Sequence, residues 1–156
     1  MPKYHYRYRK PQRRHFPIRL TLVALALLAL CIYPFIEATM LTVDKHTVQV
    51  ANLPANLKNL KIVYATDIHQ GRWFSQSRVN ELVKTINSLS ADLVILGGDY
   101  AEDSDGAIAF FENLPSISAR IGVYAVLGNH DRTEPESNLS VLIGTIKGRG
   151  IIPLVN

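Results

Sequence analysis

A single cysteine, Cys31, stands in the 156-residue chain, inside an apolar run. Internal disulfides, Cys-rich zinc sites and Cys-based redox pairs are therefore excluded, and any metal must be held by oxygen and imidazole. The redox compartment stays open, because a folded domain of this size needs no disulfide on either side of a membrane. Acid is missing from the N-terminus: Lys3, Arg7, Arg9, Lys10, Arg13, Arg14 and Arg19 precede residue 20 with no Asp or Glu among them. Beyond residue 20 the remaining ten of the 17 Lys and Arg face all 13 Asp and Glu. The formal charge of +4 is thus a property of the tail, and the mildly acidic remainder offers no basic surface for nucleic acid.

Charge is also absent from Leu20 to Ile36, an apolar run near the lower limit for crossing a hydrocarbon core as a helix. A cleaved signal peptide has the same basic flank, but its apolar part is usually shorter and ends at a small-x-small site, which Ile36-Glu37-Ala38 matches poorly. The run is read as an uncleaved transmembrane anchor at 20–36, behind a basic cytoplasmic tail at 1–19. Seven Lys and Arg on the N-terminal flank put that end in the cytoplasm and the chain after about residue 37 outside it, in a single-pass cell-membrane protein. Tyr4, Tyr6, Tyr8 and Phe16 interleave with the basic residues as in a nucleic-acid arm, but a topogenic segment at the lipid headgroups is the plainer reading.

The length allows one compact domain, and the first third does not read as part of its core. Leu41 to Val50 alternates like an edge strand or half a hairpin, and Asn52-Leu53-Pro54 breaks it. Leu60 to Ala65, Leu93 to Leu96 and Ile121 to Leu127 are short branched apolar runs, the pattern of strands buried on both faces. Between them Ser77 caps a helix carrying Val79, Leu82, Val83, Ile86 and Leu89, and Asp105 caps another through Ile108, Phe111 and Leu114. A further helix spans about Ser137 to Lys147, using Leu139, Leu142, Ile143 and Ile146, and Ile151 to Val155 begins another strand. Strand, helix, strand at a period of about thirty residues is the βαβ unit, which implies an α/β fold with a largely parallel sheet and flanking helices.

Metal-competent residues follow three of these strands: Asp67-Ile68-His69, Gly98-Asp99 and Gly128-Asn129-His130-Asp131. In a parallel sheet the carboxyl ends of the strands share one edge, so groups far apart in sequence become neighbours there. Asp67 and His69 are placed to chelate one ion, Asp99 to bridge it to a second, and Asn129 to offer that second ion a neutral oxygen. Hard oxygen donors with imidazole suit Mn, Fe, Zn or Mg. Two such ions share a hydroxide and clamp a phosphoryl group for in-line attack. Taken singly, each motif has a bland reading: Asp-x-His is common, Gly-Asp is more often a turn, and Gly-Asn-His-Asp is a tight turn with Asn129 left-handed. In order and at strand ends, the three together point to a metal site.

These three blocks resemble those of the calcineurin-like metallophosphoesterases, and the anchor with Leu-Lys-Ile-Val-Tyr-Ala-Thr-Asp-Ile-His is most similar to bacterial membrane-anchored members. The resemblance covers about Leu41 to Asn156, a partial metallophosphoesterase domain. It implies the N-terminal half of a four-layer α/β-β/α sandwich, with Asp67, His69 and Asp99 on a first metal, Asp99 bridging, and Asn129 on a second. His130 would contact the substrate phosphate and assist the leaving group, oriented by Asp131. The implied activity is hydrolysis of a phosphomonoester, phosphodiester or pyrophosphate, with lipid-linked and nucleotide-sugar substrates among the candidates, since some relatives cleave the pyrophosphate of a lipid A precursor. The family's Gly-Asp-x-x-Asp block is here Asp99 followed by Tyr100, Ala101, Glu102 and Asp103.

The family draws further histidines from later blocks, whereas no histidine follows His130 here, and His5, His15 and His46 precede the sheet. A truncated reading frame, inactive alone, is the expectation, and a non-catalytic membrane protein that keeps the fold for binding or assembly is the alternative. A nucleic-acid phosphodiesterase is disfavoured by the acidic balance after residue 20. Arg72, Trp73 and Phe74 read either as a substrate wall with Arg72 on a phosphate or as a loop covering the core edge. Glu102, Asp103 and Asp105 read as a solvated acidic loop, and Tyr100 and Arg132 adjoin the motifs closely enough to touch substrate.

Overall fold

A computed structural model describes residues 17–37, 40–132 and 137–155. The basic, aromatic-interleaved tail at 1–16 lies outside the described residues. The chain divides into two units, residues 1–46 and 47–156.

The first unit holds helix α1, Ile18–Glu37, 20 residues with Pro34 inside it. No residue of α1 is buried. At 1.5 Å per residue it is about 30 Å long, the thickness of a hydrocarbon core. By length and composition it is a candidate membrane span.

The second unit is built on four short strands, β1 (Ile62–Ala65), β2 (Leu93–Leu96), β3 (Gly122–Val126) and β4 (Ile152–Leu154). They lie in the order β1-β2-β3-β4, and every neighbouring pair is parallel. Between them run α2 (Gln76–Ser88), α3 (Ser104–Asn113) and α4 (Ser137–Gly148). The α/β class and the parallel sheet with flanking helices are as the βαβ rhythm implied.

The expectation that the strands are buried on both faces is corrected. Strand register puts Val63, Val94 and Val123 in one row and Ala65, Leu96 and Ala125 in another on the same face. That face packs with Val79, Val83 and Ile86 of α2, Ala107, Phe110 and Phe111 of α3, and Leu142 and Ile146 of α4 in one cluster. On the other face Ile62 is 51% exposed, Tyr64 62%, Ile152 47% and Leu154 49%. The cause is topological: when the sheet grows in one direction through right-handed crossovers, every connecting helix falls on the same side.

Three local expectations are also corrected. Leu41 to Val50 forms no strand; it is exposed and irregular, and a left-handed turn at Asn52 (φ 59°) follows it. Its alternation favours an extended chain, but a strand needs a ladder partner. The N-cap of helix α2 lies two residues before the expected one: it is Ser75, its carbonyl accepting from the amides of Arg78 and Val79. Helix α3 is capped by Asp103, whose Oδ1 accepts from the Gly106 amide at 2.7 Å, while Asp105 sits in the first turn and accepts from Asn138. A carboxylate reaches the amide three residues on only from the position just ahead of the helix.

At the opposite end of the sheet from the motifs, Asp92 ties the strand starts together by accepting from the Lys61 amide at 2.9 Å and Arg120 Nε at 2.7 Å. Those bonds hold its pKa below the usual carboxylate value, the Lys61 amide contributing most.

Candidate metal centre

Beyond β1 and β2 the pairing does not stop. The Asp67 amide donates to the Gly98 carbonyl at 3.0 Å, His69 to Asp99 at 3.0 Å and Gln70 to Tyr100 at 2.7 Å, and a parallel bridge joins Gln70 to Ala101. The two loops are therefore zipped side by side. Ile68 is 7% exposed and Tyr100 fully buried, so the core holds the residues next to the motif side chains. Asp67, His69 and Asp99 all have positive φ, at 54°, 45° and 54°. Left-handed backbone at three non-glycine residues costs energy that the surrounding bonds must hold in place, a pattern that gathers at functional sites.

The result is a cluster. Asp67, His69 and Asp99 each offer one ligand atom, and these atoms lie within 4.8 Å of one another. Two carboxylates and an imidazole form a donor set suited to a divalent first-row ion, so the residues fit the metal that the motifs imply. His130 joins from the loop after β3, its ring 5.0 Å from that of His69 at an edge-to-face angle of 79°. Asn129 beside it is exposed at the same sheet edge. The structure thus brings together Asp67, His69, Asp99 and His130.

Glu102 is solvated as the sequence implied, its side chain 70% exposed, and it also borders the cluster. Its carboxylate lies 3.6 Å from His69 Nδ1, and its carbonyl 3.0 Å from His130 Nδ1. A carbonyl can only accept, so this bond puts the proton of His130 on Nδ1. The same contact, followed by the negative charges of Asp99, Glu102 and Asp131, raises the pKa of His130 against a smaller lowering by burial. The sequence signal for Glu102 was its spacing of three residues from Asp99.

Two expected roles are corrected. Asp131 does not hold the His130 ring; it is fully buried, and its carboxylate accepts from the backbone amides of Asp99, Tyr100 and Gly128. Tyr100 cannot touch substrate: it is fully buried, its one hydroxyl proton shared between the carbonyls of Leu96 and Val126. Burial, with the nearby Asp131 charge, pushes its pKa up. Of the aromatic loop, Phe74 packs against the core under Arg78, whereas Trp73 is 84% exposed with Arg72 over its ring.

The family model for calcineurin-like phosphoesterases matches residues 60–153, more than half of the chain. The chain belongs to the calcineurin-like phosphoesterase family. It is 32% identical over 117 residues to a "Transmembrane protein with metallophosphoesterase domain" of Danio rerio, covering 72% of this chain and 26% of that protein. It is 29% identical over 103 residues to "Phosphodiesterase YaeI" of Escherichia coli, covering 65% of this chain and 38% of that one. To the "Uncharacterized metallophosphoesterase YkuE" of Bacillus subtilis it is 27% identical over 100 residues, 62% of this chain and 35% of the relative. The chain therefore spans between about a quarter and two fifths of the length of these relatives.

Proposed function

We propose that the protein hydrolyses a phosphate ester, a phosphomonoester, phosphodiester or pyrophosphate, at a dinuclear metal centre. The convergence of Asp67, His69 and Asp99 to within 4.8 Å at the carboxyl edge of a parallel sheet carries this reading. Asp67, His69 and Asp99 would hold the first ion, with Asp99 shared with the second, to which Asn129 would offer a neutral oxygen from the loop after β3. Divalent ions in such a centre supply the charge that draws a phosphate ester and activates water.

His130 is the proton donor to the leaving group. With Nδ1–H given to the Glu102 carbonyl, the imidazolium form of His130 would carry its second proton on Nε2, and that is the proton it would pass to the departing oxygen, leaving the neutral ring. Proton donation matters most when the leaving group is a poor one. His130→Ala is therefore expected to slow hydrolysis of phenyl phosphate by about 10²- to 10⁴-fold and of p-nitrophenyl phosphate by clearly less. The measurement uses the full chain in detergent micelles with Mn²⁺, and chelator should abolish turnover. Equal losses on both esters would remove the proton-donor role; a folded, metal-binding chain without turnover would favour a role in binding or assembly.

On the same reading residues 1–19 are a cytoplasmic flank, 20–36 an anchor in the cell membrane, and 41–156 the metallophosphoesterase part outside the cytoplasm. The seven Lys and Arg ahead of the apolar helix support that orientation, and a relative described as a transmembrane protein supports the anchor.

A further inference from the structure

Asp131 is one of only two buried polar or charged residues among those described, and the other is Ser104. Burying a carboxylate is costly unless its oxygens are satisfied. Here Oδ2 accepts from Asp99 N and Gly128 N, each at 2.8 Å, and Oδ1 from Tyr100 N at 3.0 Å. Two of these amides belong to the loop after β2 and one to the loop after β3. Asp99 returns the tie, its Oδ1 accepting from the His130 amide at 3.1 Å. Each loop thus holds the other's backbone through a carboxylate. The fit leaves no slack, since a Cβ on Gly128 would stand 2.7 Å from Asp99 N and 2.6 Å from its Cγ.

We propose that Asp131 is a positioning residue for the metal ligand Asp99: its carboxylate locks the loop after β2 to the loop after β3 and so fixes how far apart their ligands stand. This rests on the metal reading given above. Asp99 has a left-handed backbone, a conformation that persists only where its surroundings over-determine it, and Asp131 bonds the amide of that very residue. Asn129 and His130 sit on the same loop as the clamp, so a shift of either loop moves ligands and proton donor relative to one another. Aspartate suits the task where asparagine does not. An amide side chain has one acceptor oxygen, and its NH₂ would face a third amide that can only donate.

The test uses the full chain in detergent micelles. In metal-free wild type, NMR couplings across hydrogen bonds are expected from the amides of Asp99, Tyr100 and Gly128 to Asp131 Cγ; their absence overturns the clamp whether or not any variant folds. Asp131→Asn is then expected to weaken Mn²⁺ binding, read by calorimetry, by about 10- to 100-fold, the usual cost of losing a residue that orients a ligand. Ser104→Ala is the control: it removes the hydroxyl of the other buried polar residue, which accepts from Asn138 Nδ2, without touching the clamped amides, and should keep wild-type affinity. A folded Asp131→Asn protein that binds Mn²⁺ as tightly as wild type overturns the proposal alone, as does an equal loss in Ser104→Ala. Wild type with all three couplings but no Mn²⁺ binding overturns it together with the metal reading.

Discussion

Asp99→Asn is expected to cut Mn²⁺-dependent hydrolysis by at least about 100-fold, the scale of removing one preorganised charge contact at a reacting centre, while leaving the unfolding midpoint nearly unchanged. The separation of effects follows from what asparagine retains. Its side-chain oxygen still accepts from the His130 amide, its backbone amide still donates to Asp131, and asparagine tolerates the left-handed conformation (φ 54°) at this position. What disappears is the negative charge that Asp99 brings to the proposed metal site. The check is turnover of bis-p-nitrophenyl phosphate beside a thermal melt of the same sample. Activity within a few-fold of wild type would remove Asp99 from the metal set, and collapse of the fold would make it a structural residue instead.

The second large effect is expected at Gly98. Its φ of +99° lies where side chains rarely go, and an added Cβ would stand 2.9 Å from the Gly128 Cα, a backbone atom that cannot rotate away. Gly98→Ala is expected to destabilise the chain by about 3 kcal/mol or more, from backbone strain and the steric clash together. It also forces apart the loops that Asp131 ties, so Mn²⁺ affinity should fall even where the protein still folds. Gly144 is the contrast, exposed within α4 with nothing within 4 Å of an added Cβ. Gly144→Ala should stabilise by about 0.5–1 kcal/mol through helix propensity. Urea unfolding of the two variants against wild type measures both, and equal midpoints for Gly98→Ala and wild type would contradict the close packing of the loops.

The strands were legible because their signal is local: Leu93-Val94-Ile95-Leu96 is apolar and branched without interruption, and the motifs begin where such runs end. That Asp67, His69 and Asp99 would converge followed from one topological fact about parallel sheets. What could not be read depends on contacts between distant segments. The one-sided cover of the sheet depends on the order β1-β2-β3-β4, and the sequence of Tyr64 or Leu154 carries no mark of it. Asp131 stands next to His130 in the chain, which suggested a partnership, yet its bonds run to amides 31 and 32 residues away and to one three residues away. The choice of Asp103 over Asp105 as helix cap turned on a two-residue offset that composition cannot resolve, since both are aspartates ahead of the same apolar face.

Asp67, His69 and Asp99 are proposed to form one metal site. Titration of the metal-free full chain with Mn²⁺, followed by electron paramagnetic resonance of the free ion, tests it most directly because no substrate or turnover is needed. Saturable loss of the free-ion signal, abolished by Asp99→Asn and reversed by chelator, is expected. A signal that rises in proportion to added Mn²⁺ from the first addition, or binding indifferent to Asp99→Asn, would contradict it.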